Sequence, residues 1–149
     1  MATLALDEIE AAVAASYTKA FKSWTSCLEA LPNCDPASLA PYRTGDYLLM
    51  SQSQIGRYVD AGHTTSDLDR RQLTIESVTI DSSGAQASVI SCEVDDSVRY
   101  NAAGEAVTDA FESIRRASTL VLEEGAWKVA GFENLEVGET EQENVCAGG

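Results

Sequence analysis

The stretch LVLEEGAWKVAGFENLEVG, from Leu120 to Gly138, reads as two long strands joined by a tight Glu-Gly turn at Glu124-Gly125. The same grammar lies upstream in RQLTIESVTIDSSGAQASVISCEVDD, Arg71 to Asp96. Strands are therefore expected over Leu73–Ile80, Gln86–Val94, Ser113–Leu122 and Trp127–Val137, with Ser-Ser-Gly and Glu-Glu-Gly turns between them. Between Leu73/Ile75 and Val78/Ile80 the apolar phase slips by one residue, which predicts a bulge. Ala102-Ala103-Gly104-Glu105 reads as a hairpin tip linking short strands near Val98–Tyr100 and Val107–Phe111.

The N-terminal half has a different period. Leu6, Ile9, Val13, Tyr17, Ala20, Phe21, Trp24 and Leu28 recur at the three-and-four spacing of one helical stripe. Asp35-Pro36 predicts a cap and first turn of a short second helix. Thr44 is expected to cap a third, with Tyr47, Leu48, Met50 or Ser51, Ile55, Tyr58 and Val59 facing inward and Gly62 ending it. The fold class is thus α+β: a curved antiparallel (mixed) sheet packed on three N-terminal helices, as one domain over residues 1–138 with an acidic tail over 139–149.

At 149 residues the chain suits one domain, which buries roughly two-thirds of its unfolded surface. Ten Lys and Arg against 24 Asp and Glu give a formal charge of −14, which repels phosphate backbones and excludes nucleic acid as a partner. No basic residue follows Lys128, and Glu133, Glu136, Glu139, Glu141 and Glu143 read as a solvated acidic run. No apolar run reaches the ~18 residues that a membrane span needs. Met1 to Glu10 lacks the basic start and apolar core of a signal peptide, which suits a cytoplasmic protein or a mature exported domain.

The four cysteines favour export. Cys27 and Cys34 flank the Leu31-Pro32-Asn33 break at the end of the first helix, Cys92 lies in a strand, and Cys146 lies in the tail. Two disulfides, Cys27 with Cys34 and Cys92 with Cys146, are expected, the second tethering the tail. Zinc, disfavoured by the lack of a CxxC pair and a second histidine, and four free thiols are the alternatives. No metal and no cofactor are expected.

Long helix, short helix, helix and then a bulged antiparallel sheet, ending in Gly125-Ala-Trp-Lys-Val-Ala-Gly-Phe132, resembles the nuclear-transport-factor-like fold, also called the ketosteroid-isomerase or SnoaL-like cone. The resemblance covers about residues 5 to 138. Within it, the segments Ser91–Ser97, Gly104-Glu105, Trp127-Lys128-Val129 and Cys146 are similar to those of small exported or lipid-anchored proteins of high-GC Gram-positive bacteria, mostly of unassigned function.

Enzymes of this fold use acids and a tyrosine inside the concavity, so the resemblance makes Glu133, Asp95 and Tyr47 the catalytic candidates, with Glu93 a neighbour. If Trp127 and Val129 face the helices, strict alternation brings Glu133 inward too; because a twisted, bulged strand is easily misphased, the favoured reading is a rim glutamate beside a packed core. The last acid of the fold's epoxide hydrolases has its nearest match at Asn134, and Asp95-Asp96 reads as a strand-end turn or weak cation site, so neither the hydrolase nor the ketosteroid-isomerase pattern is met. His63, the one histidine, is expected to be solvated in a loop. Arg70-Arg71 and Arg115-Arg116 each put one arginine on either sheet face and read as ion-pair partners for the acids.

The leading functional expectation is a non-enzymatic exported domain binding a small apolar ligand or a protein partner. Its pocket would be lined by Tyr17, Phe21, Trp24, Tyr47, Tyr58 and Trp127. The competing class is a small-molecule isomerase, cyclase or epoxide hydrolase. A homodimer is expected through the sheet face carrying Arg116, Ser118, Leu120 and Leu122.

Overall fold

A computed structural model describes residues 7–108 and 110–147. Helix α1 spans Glu8–Glu29 and opens on a capping box: Asp7 Oδ1 accepts from the Glu10 amide at 2.8 Å, and Glu10 Oε1 accepts from the Asp7 amide at 3.1 Å. Its buried stripe is Val13, Tyr17, Ala20, Cys27 and Leu28. Ile9 is exposed, and Leu6 lies outside the described residues. The expected second helix is a single 3-10 turn, Pro36–Leu39, with Asp35 Oδ1 capping the Ala37 amide at 2.9 Å. Helix α2 spans Gly45–Asp60 and stops at Gly62, whose φ of 71° is the left-handed value that glycine adopts without strain. Thr44 occupies its N-cap, but the hydroxyl donates to Glu123 Oε2 at 3.0 Å rather than capping the helix.

Among the described residues seven strands follow: β1 Thr64–Ser66, β2 Arg71–Ile80, β3 Gln86–Asp95, β4 Val98–Tyr100, β5 Ala106–Thr108, β6 Glu112–Glu123 and β7 Ala126–Gly138. They form a four-stranded sheet in the order β2-β3-β6-β7 and a small one in the order β1-β4-β5, with every pairing antiparallel. Among the described residues the one parallel element is a bridge between Arg43 and Val129. The β6–β7 hairpin closes on Glu124 and Gly125, both at positive φ (50° and 82°), as the right-handed twist of a two-residue turn requires.

Three bulges bend the large sheet. The expected one in β2 skips Glu76, and β7 carries two more, skipping Ala130 and Leu135. Each extra residue increases local twist and curls the sheet around α1. The first β7 bulge also shifts the phase of everything after it. Phe132, paired with the buried Ser118, faces the helices, whereas Glu133 pairs with Ala117 and is exposed on the opposite face. Of the two places weighed for Glu133, the phase of β7 rules out the inward one.

One apolar cluster, including Val13, Tyr17, Val89, Leu120, Trp127 and Val129, fills the narrow end between α1 and the sheet. A second, built on Leu28, Leu39 and Ile55 with the Cys27–Cys34 disulfide, joins α1 to α2. Leu39, Ile55 and Leu120 are wholly buried, each worth about 1.5–3 kcal/mol of transfer free energy.

The Cys92–Cys146 disulfide fastens the tail to the sheet face turned away from the helices. There Ser113 Oγ accepts from the Val145 amide at 3.0 Å, and a side chain at Gly138 would collide with the Glu143 carbonyl. Arg115 lies on this outer face, bonded to Glu76 at 2.8 Å and Glu136 at 2.7 Å. Arg116, Ser118 and Leu120 face the helices instead, with Ser118 and Leu120 essentially inaccessible. The sheet face expected to mediate dimerisation is thus the interior one.

Candidate functional site

At the open end of the cone the sheet and helices stop filling the space with side chains and leave a cavity of about 300 Å³. That lies at the lower end of the range for small-molecule pockets, roughly 300–1,000 Å³. Helix α1 contributes Tyr17, Phe21 and Trp24; α2 contributes Tyr47 and Ser51. The sheet supplies Glu93, Asp95, Arg71, Arg116 and Phe132, and the segment before α2 supplies Arg43. Arg43 is held there by the backbone: the Val129 amide donates to Tyr42 O at 2.9 Å and the Thr44 amide donates to Val129 O at 3.0 Å.

The floor is a closed set of hydroxyls around one carboxylate. Tyr17 OH donates to Glu93 Oε2 at 2.6 Å and accepts from Ser118 Oγ at 3.2 Å. Ser91 Oγ lies 3.1 Å from the Tyr17 oxygen and donates to the same Glu93 oxygen at 3.1 Å. Ser91 and Ser118 are 0% and 1% exposed, so these bonds satisfy hydroxyls that water does not reach. Burial raises the Tyr17 pKa well above the usual phenol value, and the adjacent Glu93 charge raises it further.

Three arginines form the walls, each stacked on an aromatic ring. The Arg43 guanidinium carbon lies 4.7 Å from the Trp24 ring centre and 4.8 Å from that of Tyr47. Arg71 lies 4.7 Å above Phe21, and Arg116 lies 4.2 Å above Phe132. Phe132 in turn meets Tyr47 edge to face at 5.6 Å. Stacking fixes each guanidinium plane and leaves its N–H donors pointing along that plane.

Few of those donors meet an acceptor. Arg43 Nη1 donates to Ser51 Oγ at 2.6 Å. Arg71 Nε stands 3.7 Å from Asp95 Oδ2, and Arg116 Nη1 stands 3.8 Å from Glu93 Oε1, ion-pair distances too long for hydrogen bonds. Arg43 Nε, Arg71 Nε and Nη1, and Arg116 Nε are buried with no hydrogen-bond acceptor among the described residues. Burial lowers the pKa of Arg43 and of Arg71, with Asp95 opposing the shift at Arg71.

Of the residues expected in the pocket, Tyr17, Phe21, Trp24 and Tyr47 come together. Trp127 is a core residue packed with Leu120 and Val129, and is not among the residues lining the cavity. Tyr58 lines an adjoining groove, stacked beneath Arg99 at 4.2 Å and against His63 at 5.5 Å. His63 is thus half-buried rather than solvated, and its Nδ1 is buried without a partner among the described residues. Glu133 lies outside the cavity. Asp95 lines it, but one carboxylate oxygen is tied to the Ser97 amide at 3.0 Å and to its hydroxyl, the strand-end turn anticipated above. Asn134 pairs with Arg116 across the strands. Ser51 rather than Met50 is the buried member of its pair on α2.

Arg43, Phe132 and Ser91 carry much of the site without having been expected there, and Ser118 was expected on a dimerisation face instead. The signal for the serines was their place on the alternating phase of Val89 and Leu120. Phe132 gave none, since a bulge decides its side.

No protein-family model matches the chain, and no curated protein matches it. Among solved structures, the intermembrane space region of the chloroplast protein ARC6 superimposes with a TM-score of 0.67 at 15% identity, over 89% of this chain and 98% of that one. A ketosteroid isomerase-like protein from Erwinia carotovora atroseptica SCRI1043 does so with a TM-score of 0.55 at 14% identity, over 88% and 99%. The bulged antiparallel sheet curled around a long N-terminal helix, matched over nearly the whole length of these structures, identifies the fold as the nuclear-transport-factor-like, ketosteroid-isomerase-like cone.

Proposed function

We propose that this is a non-enzymatic, exported ligand-binding domain whose concave cavity takes a small molecule with an apolar body. The observation that carries the reading is the contrast between the aromatic walls and the self-satisfied floor. Tyr17, Ser91 and Ser118 spend their hydroxyls on one another and on Glu93 Oε2, so none of the three hydroxyls is left to work on a ligand. A phenol whose pKa is raised by burial is a poor base at neutral pH. The two disulfides support an oxidising compartment, and no described helix is long and apolar enough to cross a membrane.

One observation favours the enzymatic alternative, an isomerase, cyclase or epoxide hydrolase: a tyrosine and a carboxylate 2.6 Å apart in the cavity. Chemical-shift mapping with small aromatic fragments separates the two. The binding reading expects perturbations converging on Phe21, Trp24, Tyr47 and Phe132, with every ligand recovered chemically unchanged. Turnover of a bound ketone or epoxide that Glu93→Gln abolishes would replace it with the enzymatic one.

A further inference from the structure

The wall arginines point to what the ligand must carry. We infer that the cavity selects a monoanionic amphipath, an aromatic or apolar body bearing one oxyanion head such as a carboxylate, held by Arg43, Arg71 and Arg116; this rests on the cavity being a ligand site.

An acidic chain with ten basic residues has gathered three of them around one small cavity. An arginine whose role is an ion pair looks like Arg115 on the outer face: its Nε and Nη2 bond Glu76 at 2.8 and 3.0 Å, and its Nη1 bonds Glu136. Arg71 and Arg116 stand back from their acids at 3.7 and 3.8 Å. Four guanidinium nitrogens of these three arginines are buried with no acceptor among the described residues, so the protein itself does not saturate these groups. Guanidinium groups left short of acceptors in a buried site are costly, so the arrangement is disfavoured unless something accepts from them. Guanidinium forks match a two-oxygen acceptor, and their stacking on Trp24, Tyr47, Phe21 and Phe132 holds them ready with little ordering left to do.

The charge balance sets the valence. Three arginines face the carboxylates of Glu93 and Asp95, an excess of one positive charge among the less exposed groups; Glu112 also lines the cavity but is exposed to solvent. One negative charge neutralises the interior, whereas a dianion would meet the Glu93 and Asp95 fields uncompensated. The aromatic faces that do not hold arginines provide the apolar contact for the rest of the ligand.

Isothermal titration of the intact, oxidised protein with 2-naphthoate and with 2-naphthamide, its neutral analogue of the same shape, tests this. The expected result at neutral pH is naphthoate binding at least tenfold tighter, weakening with added salt. Arg116→Gln and Arg71→Gln, checked for an intact fold by circular dichroism, should each remove most of that preference, while Arg115→Gln leaves it unchanged. Equal binding of the two probes, or tighter binding of the amide, would overturn the anion inference and leave the cavity as an apolar site. Binding of neither would overturn both. Preference for naphthoate that persists in both cavity variants but falls in Arg115→Gln would move the site to the outer face and equally refute the inference.

Discussion

Replacing Tyr17 by Phe keeps the ring in the core and deletes the one atom that joins the floor of the cavity. The oxygen gives a charge-assisted hydrogen bond to Glu93 and accepts one from Ser118, with Ser91 alongside. The bond to Glu93 is worth about 1.5–3 kcal/mol, and stranding the inaccessible Ser118 hydroxyl adds about 1 kcal/mol. Because Ser91 still donates to the same Glu93 oxygen, part of this is retained, and the expected loss is about 3 kcal/mol, or a melting temperature lower by about 6–12 °C for a chain of this size. Ser118→Ala added to Tyr17→Phe should recover about 1 kcal/mol, because it removes the stranded group. The dependence on pH has a definite sign. The folded-state pKa of Tyr17 is raised above its unfolded value of about 10, so its contribution is intact below that pH and declines above it, at up to about 1.4 kcal/mol per pH unit. Urea unfolding followed by circular dichroism should therefore show the gap between wild type and Tyr17→Phe narrowing as the solution is made alkaline beyond about pH 10. A Tyr17→Phe variant as stable as wild type at neutral pH, or a gap that does not narrow, would refute the closed network.

Removing Cys92 and Cys146 together releases a loop of sequence separation 54 and should cost about 4 kcal/mol in the chain-entropy model, whereas removing Cys27 and Cys34, seven apart, should cost about 2 kcal/mol; urea midpoints in the reverse order would contradict this. Gly138→Ala should detach the tail from Ser113 without altering the cavity, seen as faster amide exchange at Val145 with unchanged ligand affinity. Glu133→Gln, on the outer face, should leave stability within about 0.5 kcal/mol and binding unchanged; a loss of binding would return Glu133 to the site.

The architecture was legible where local chemistry and tertiary structure agree. The Glu124-Gly125 turn, the Asp35-Pro36 start, the glycine after α2, the slip in β2 and the Cys27–Cys34 pairing are each announced within a few residues, and Cys92–Cys146 follows as the remaining pair. The site was legible on the helices, where a helical period brings Tyr17, Phe21 and Trp24 onto one face of α1 and turns Tyr47 of α2 inward. The two bulges in β7 leave no mark in the local pattern, yet the first decides that Phe132 enters the cavity and Glu133 leaves it. The same strand-phase problem put Arg116, Ser118 and Leu120 on the wrong face: three alternating residues share a side, but alternation does not say which side the helices cover. The partnership of Tyr17 with Glu93 spans 76 residues of sequence and has no local signature at all. Arginines in so acidic a chain read naturally as ion-pair partners, which describes Arg115 at 2.8 Å; that two others stop at 3.7 and 3.8 Å from their acids has no signature in the sequence.

The most direct test of the concave cavity as the ligand site is a crystal structure of the oxidised protein soaked with 2-naphthoate. The account predicts the ring packed against Phe21, Trp24, Tyr47 and Phe132, with the carboxylate within hydrogen-bond distance of at least two of Arg43, Arg71 and Arg116. A ligand seated on the outer face beside Arg115, or a cavity whose aromatic side chains collapse to exclude it, would contradict that claim.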